Sequence, residues 1–130
     1  MGRSSLATAL LVTAAIGISA VAIAQEAIVR TPLQKSDFPE AHASHLMLIT
    51  VAPGGVVAPH THPGIEMGYV QEGEALMSIA GQPDRQLKAG DSYLVPAGTV
   101  HSAKNTGSTP IKIIGSFVVD KTKPLASPAK

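Results

Sequence analysis

Apolar residues fall in short alternating runs, broken by glycine and proline, and no stretch carries the period of a long helix. His45–Val51 (HLMLITV) and Ile111–Val119 (IKIIGSFVV) are the strongest runs. Val56–His60, Glu66–Gln71, Glu74–Ala80, Arg85–Lys88, Ser92–Val95 and Val100–Asn105 are shorter, and Ala27–Thr31 is a brief β-prone start. Pro53-Gly54-Gly55, Gly81–Asp84, Ala89-Gly90-Asp91 and Thr106-Gly107-Ser108 read as turns, and Glu72-Gly73 as a tight hairpin tip. Lys35–Ser44 is polar with Pro39 and reads as a loop or helical turn. Lys121–Lys130, with Pro124 and Pro128, reads as a loose tail or an extended arm. Short strands with turns about every 8–12 residues predict an all-β fold, a small antiparallel double-sheet barrel or sandwich.

The first residues do not fit that pattern. Arg3 precedes an uncharged apolar run, Leu6–Ala24, ending in Ala22-Ile23-Ala24. This is the layout of a secretory signal cleaved after Ala24, or after Ala22 at the overlapping Ala20-Val21-Ala22. The expected organisation is a cleaved signal over 1–24, a barrel domain over 25–120 and a tail over 121–130. The mature protein is expected to be periplasmic or secreted, with no stable membrane anchor after cleavage.

Composition narrows the chemistry. The chain is 45% hydrophobic and 15% charged, which excludes intrinsic disorder. A formal net charge of +1 gives no basis for nucleic-acid binding. Cysteine is absent, which removes disulfides, thiolate metal sites and thiol catalysis together. A small domain without disulfides relies on its core, a metal or a second copy.

Three of the five histidines sit in two glycine- and proline-framed segments, PGGVVAPHTHPGIEMGYVQEG and GDSYLVPAGTVHSAKN. His60 and His62 are two apart on a predicted strand, so their rings share a face. Glu66 follows the Pro63-Gly64 turn, and His101 comes from a distant strand that must be brought in by barrel closure. Three imidazoles and one carboxylate suit a divalent first-row metal: Mn, Fe, Co, Ni, Cu or Zn. Four protein ligands leave one or two coordination positions for a small molecule. His42 and His45 fall in or beside a polar loop and are expected at the surface. Met47, Met67, Met77, Tyr69, Tyr93 and Phe117 are expected mainly as core filler. Strand alternation puts Gly68 and Val70 on the face of Glu66, and Thr99 and Ala103 on that of His101. That lining is small and apolar, with no second acid or base.

These segments resemble the two motifs of single-domain cupins. The first, G-x5-H-x-H-x3-E-x6-G, is matched by Gly54, His60, His62, Glu66 and Gly73. The second, G-x5-P-x-G-x2-H-x3-N, is matched by Gly90, Pro96, Gly98, His101 and Asn105. The resemblance implies a two-sheet barrel with His60, His62, Glu66 and His101 as metal ligands. It implies framework roles for the glycines, for Pro96 and for Asn105. It further implies either a metal-dependent enzyme of the dioxygenase, isomerase or lyase type on a small polar molecule, or a non-enzymatic metal or small-ligand binding module. In the enzyme reading Glu66 is also a candidate base. A homodimer is expected, with Ala27–Thr31 or the tail near Pro124-Leu125 adding to a neighbour's sheet edge.

Overall fold

The computed structural model describes residues 27–130; the expected signal, 1–24, lies outside them. Ten strands are present: β1 Ile28–Ser36, β2 His42–Val51, β3 Val56–Thr61, β4 Gly64–Glu72, β5 Glu74–Ile79, β6 Arg85–Lys88, β7 Ser92–Val95, β8 His101–Asn105, β9 Ile111–Asp120 and β10 Ser127–Pro128. They form two five-stranded antiparallel sheets, ordered β1-β2-β9-β4-β7 and β10-β3-β8-β5-β6. This is the expected all-β double-sheet barrel.

Alternation decides which residues enter the space between the sheets. In β9, Ile111, Ile113, Gly115, Phe117 and Val119 point inward and are buried, while the intervening residues are half-buried. Ala43, Met47, Ile49 and Val51 from β2, Val70 from β4, Ala75, Met77 and Ile79 from β5, Leu87 from β6, and Tyr93 and Val95 from β7 complete the core. Met67 and Tyr69 instead lie on the outer face at 40% and 51% exposure, so they are not core filler. The even phase of β4 gives the inward side to Glu66, Gly68 and Val70.

The segment read as a polar loop or helical turn is half strand. β1 runs on to Ser36 and β2 begins at His42, because the Phe38 and Pro39 carbonyls accept bonds from Ser44 Oγ (2.9 Å) and the His42 N–H (2.7 Å) and close a short turn. His42 and His45 are therefore half-buried residues of β2 rather than loop residues. The Glu72-Gly73 hairpin is also corrected. β4 pairs with β9 and β7, β5 pairs with β8 and β6, and the chain at Gly73 crosses between sheets. A register irregularity between Val70 and Glu72 and the left-handed φ of Gly73 (79°) make that corner. The segment read as a loose tail or an extended arm contains β10, antiparallel to β3, and Leu125 packs against the core.

Candidate metal centre

β3 supplies His60 and leads directly into His62. His60 lies directly opposite His101 of β8 in the ladder. Glu66, on β4, reaches in from the opposite sheet, where its ladder partners are Phe117 and Val95. The sequence reading had this reversed: His101 is an immediate neighbour, and Glu66 is the residue that needs the barrel to close. His101 is aimed by a turn in which the Gly98 N–H donates to the His62 carbonyl (2.9 Å), with φ at Gly98 of 70°. A side chain there would sit in a conformation costing about 1–2 kcal/mol.

Each imidazole donates its Nδ1–H to a backbone carbonyl: His60 to Ala58 (2.8 Å), His62 to Leu125 (2.6 Å) and His101 to Thr99 (3.0 Å). A carbonyl only accepts, so Nδ1 carries the proton and Nε2 is the free donor atom in the neutral ring. The Nε2 atoms of His62 and His101 lie 3.0 and 3.1 Å from Glu66 Oε2. The His101 approach is a hydrogen bond, whereas His62 Nε2 is off line and buried without a hydrogen-bond partner. Such an orphan costs roughly 1–3 kcal/mol, which a ligand at that point relieves. One donor atom from each of the four residues falls within 4.8 Å of the others. Metal–nitrogen bonds of about 2.1 Å span donors up to ~4.2 Å apart, so only sub-ångström adjustment separates this set from a coordination shell. The residues fit a divalent transition metal.

Electrostatics agrees. Burial pushes the Glu66 carboxyl up, but hydrogen bonds from His101 and Tyr93 and the close approach of the His62 imidazole outweigh it and hold its pKa down at about 2. Burial alone lowers His101, yet the Glu66 hydrogen bond, the Thr99 carbonyl and the Glu66 charge raise it above its ordinary value. His60 is lowered, chiefly by burial. An ionised Glu66 held this low is a ready ligand and a feeble proton acceptor near neutral pH, which favours the ligand role over the base role.

Residues 47–119, more than half of the chain, match the Cupin domain family. The chain is a cupin.

Oxalate oxidase 2 of Hordeum vulgare is 38% identical to this cupin over 77 residues, 53% of this chain and 34% of that protein. A germin-like protein of Arabidopsis thaliana (subfamily 2 member 2) is 36% identical over 77 residues, 55% of this chain and 35% of its own length. The cupin thus spans about a third of the length of the curated relatives it matches. Among solved structures, a conserved Klebsiella pneumoniae protein with a double-stranded β-helix domain superposes with a TM-score of 0.65 at 26% identity, over 81% of this chain and 86% of that one. A recombinant oxalate oxidase in complex with glycolate superposes at 0.64 with 27% identity, over 78% and 55% of the two chains.

All four motif glycines of this cupin, at 54, 73, 90 and 98, have left-handed φ, and Asn105 bonds backbone as expected. Two residues were missed. Tyr93, read as core filler, donates its hydroxyl to Glu66 Oε1 at 2.7 Å, and burial together with the Glu66 charge raises its pKa well above 10. It reaches Glu66 across Gly68, where a Cβ would stand 2.1 Å from the Tyr93 ring. The available signal was Gly68 itself, an interior strand glycine one pleat from Glu66. Arg30 of β1 lines the same cavity as the four donors. His42 and His45 do not join the cluster.

Proposed function

We propose that this cupin binds one divalent transition metal (Mn, Fe, Co, Ni, Cu or Zn) through His60, His62, Glu66 and His101. We further propose that it is a metal-dependent enzyme, of the dioxygenase, isomerase or lyase type, acting on a small polar molecule. The observation that carries this reading is the buried, partnerless Nε2 of His62 inside a ring of donors whose Nδ1 atoms are all tied to carbonyls. A metal bound there supplies Lewis-acid polarisation of a chelating oxygen.

The chain's own residues do the rest. Glu66 is ionised at neutral pH, and Tyr93 holds its Oε1 so that Oε2 is the atom turned to His62 and His101. Met77, Ile113 and Phe117 wall the cavity and limit water around the donors. Arg30 makes no ion pair or side-chain hydrogen bond among the described residues and shares the cavity, so its guanidinium suits a carboxylate on the incoming molecule. Relatives that are oxalate oxidases, one bound to glycolate, support a small carboxylate as the class to screen first.

A non-enzymatic metal or small-ligand binding module is the second reading. It is favoured by the lining, in which Tyr93 is already committed to Glu66 and the other walls are mostly apolar. Elemental analysis of the protein beside Glu66→Ala and His101→Ala separates the readings in sequence. About one metal per chain, lost in both variants, is expected. Turnover of small carboxylates that tracks metal content then marks the enzyme, and tight binding without turnover marks the module. No uptake of any of the six metals overturns the enzyme and the metal module alike, and leaves only a metal-free module for small ligands. The uncharged run Leu6–Ala24 supports export to the periplasm or medium, with an N-terminus at Gln25 or Ile23 as the expected mass-spectrometric result. An intact Met1 in the exported fraction removes the cleavage.

A further inference from the structure

The cupin match ends at residue 119, yet one hydrogen bond to the donor ring comes from beyond it. β9 ends at Asp120, whose Oδ1 accepts from the backbone N–H and hydroxyl of Thr122 at 2.9 and 2.7 Å. This Asx-type turn steers the chain out of the first sheet, and a bond from the Lys123 N–H to the Asp120 carbonyl (3.2 Å) closes it. The chain then crosses to the second sheet. Leu125 packs against the core and shares a shallow groove with Ala43 and Val119, the inward residues nearest that end of β2 and β9. Two residues later β10 pairs with β3, Pro128 opposite His60 and Ser127 opposite Thr61, and the Ala129 N–H donates to the Pro59 carbonyl (3.0 Å). Between these anchors the Leu125 carbonyl accepts the Nδ1–H of His62 at 2.6 Å.

The three histidines are not held alike. His60 and His101 each bond the carbonyl two residues earlier on their own segment, so those contacts form wherever the local backbone forms. His62 bonds a carbonyl 63 residues away. We propose that the segment Lys121–Lys130 is a strap that positions His62, with the Leu125 carbonyl fixing the ring orientation and committing Nε2 to the donor ring. This rests on the metal reading above and adds a positioning element outside the matched domain. The remote partner of a metal-ligating histidine is worth about 10- to 100-fold in metal affinity. The strap itself is lightly held, because Pro128 has no N–H to give to β3.

The test compares the full chain with one ending after Lys123, and with full-length Leu125→Ala, which keeps the carbonyl but loosens its anchor. Three measurements are made: circular dichroism of the metal-free proteins, imidazole ¹⁵N shifts of the histidines, and zinc affinity by chelator competition. The expected result is a folded barrel in both variants. His62 alone shifts towards a mixture of tautomers, while His60 and His101 are unchanged. Zinc stoichiometry stays near one, with affinity about 10- to 100-fold weaker after truncation and intermediate in Leu125→Ala. Unchanged His62 shifts in both variants overturn the strap, as does an equal disturbance of all three histidines, which marks general loosening. If truncation unfolds the barrel, Leu125→Ala decides by the same criteria. A full chain that binds no zinc or other divalent metal overturns the metal reading, while the metal-free ¹⁵N shifts still decide the strap.

Discussion

At the scale of single residues, the centre depends on groups that touch no metal. Tyr93 holds Glu66 through one short bond, and Gly68 leaves the room that lets it do so. Tyr93→Phe removes that bond with little change in volume. Glu66 then loses one of the hydrogen bonds that depress its pKa, and its carboxylate is free to turn. Metal affinity is expected to fall about 10-fold or more, measured by competition with a chelator, with the fold unchanged. Gly68→Ala drives a methyl into the Tyr93 ring and is expected to weaken metal binding in the same direction, with a cost of about 1–3 kcal/mol in urea denaturation. Protons give a second check. His101 is raised from its ordinary value, so in the metal-free protein it holds a proton to higher pH than a free imidazole, and a metal must displace that proton, while His60 is lowered and gives its proton up more readily. Affinity is expected to drop as pH falls through the raised His101 value, and calorimetry in buffers of different ionisation enthalpy is expected to show proton release on metal binding that grows as the pH is lowered. For metal-free stability the sign runs through Glu66. Its folded pKa is depressed from 4.5 to about 2, so its contribution is present above 4.5 and lost as pH falls through 2. Glu66→Gln is expected to abolish that part of the acid transition in thermal melts.

At the scale of elements, the donor set was legible in the sequence because coordination chemistry demands fixed residue types. The two-residue spacing of His60 and His62 is the strand period itself. Strand existence was legible for the same reason: β6 and β7 fall where alternation and turn residues put them. Strand neighbours were not. Gly73 reads identically whether the chain folds back in one sheet or crosses to the other, so the corner looked like a hairpin. Nor does a backbone carbonyl such as that of Leu125 leave any mark on residue type, and that is why the sequence does not reveal the partner of His62 within a segment that reads as a loose tail or an extended arm. Asn105 shows the part that was legible. Its Nδ2 donates to the carbonyls of Val51 (2.9 Å) and Thr109 (2.8 Å), and its Oδ1 accepts from the Gly107 N–H (2.8 Å). It thereby ties the end of β8 to β2 and shapes the crossing to β9. Asn105→Ala leaves the buried Val51 carbonyl without its partner and removes two part-buried bonds, and it is expected to cost roughly 1–3 kcal/mol, read as a lower urea midpoint. Metal stoichiometry in the folded fraction is expected to hold, because Asn105 bonds none of the four donors.

At the scale of the whole molecule, the two sheets end differently. One end of the second sheet is occupied by β10 from the strap. The first sheet ends in β1, a nine-residue strand of which eight residues are exposed, including Val29 at 48% and Leu33 at 44%. A long open edge with apolar side chains is a template for another strand, and proteins that leave one bare usually guard it with charge, proline or a bulge. β1 carries each of these, Arg30 and Lys35, Pro32, and a register break between Pro32 and Gln34, yet it still leaves Val29 and Leu33 exposed. A second copy pairing along β1 would cover the edge, and it would do so beside Arg30 at the cavity mouth. The strap offers a much shorter edge, since β10 has two residues and already pairs with β3 on one side. The expected outcome is a dimer by light scattering at micromolar concentration. Val29→Lys with Leu33→Lys is expected to give a monomer, while Leu94→Lys on the opposite edge strand β7 leaves the mass unchanged. A monomeric parent protein, or a dimer lost only on changing Leu94, removes β1 as the contact and leaves its apolar residues to solvent.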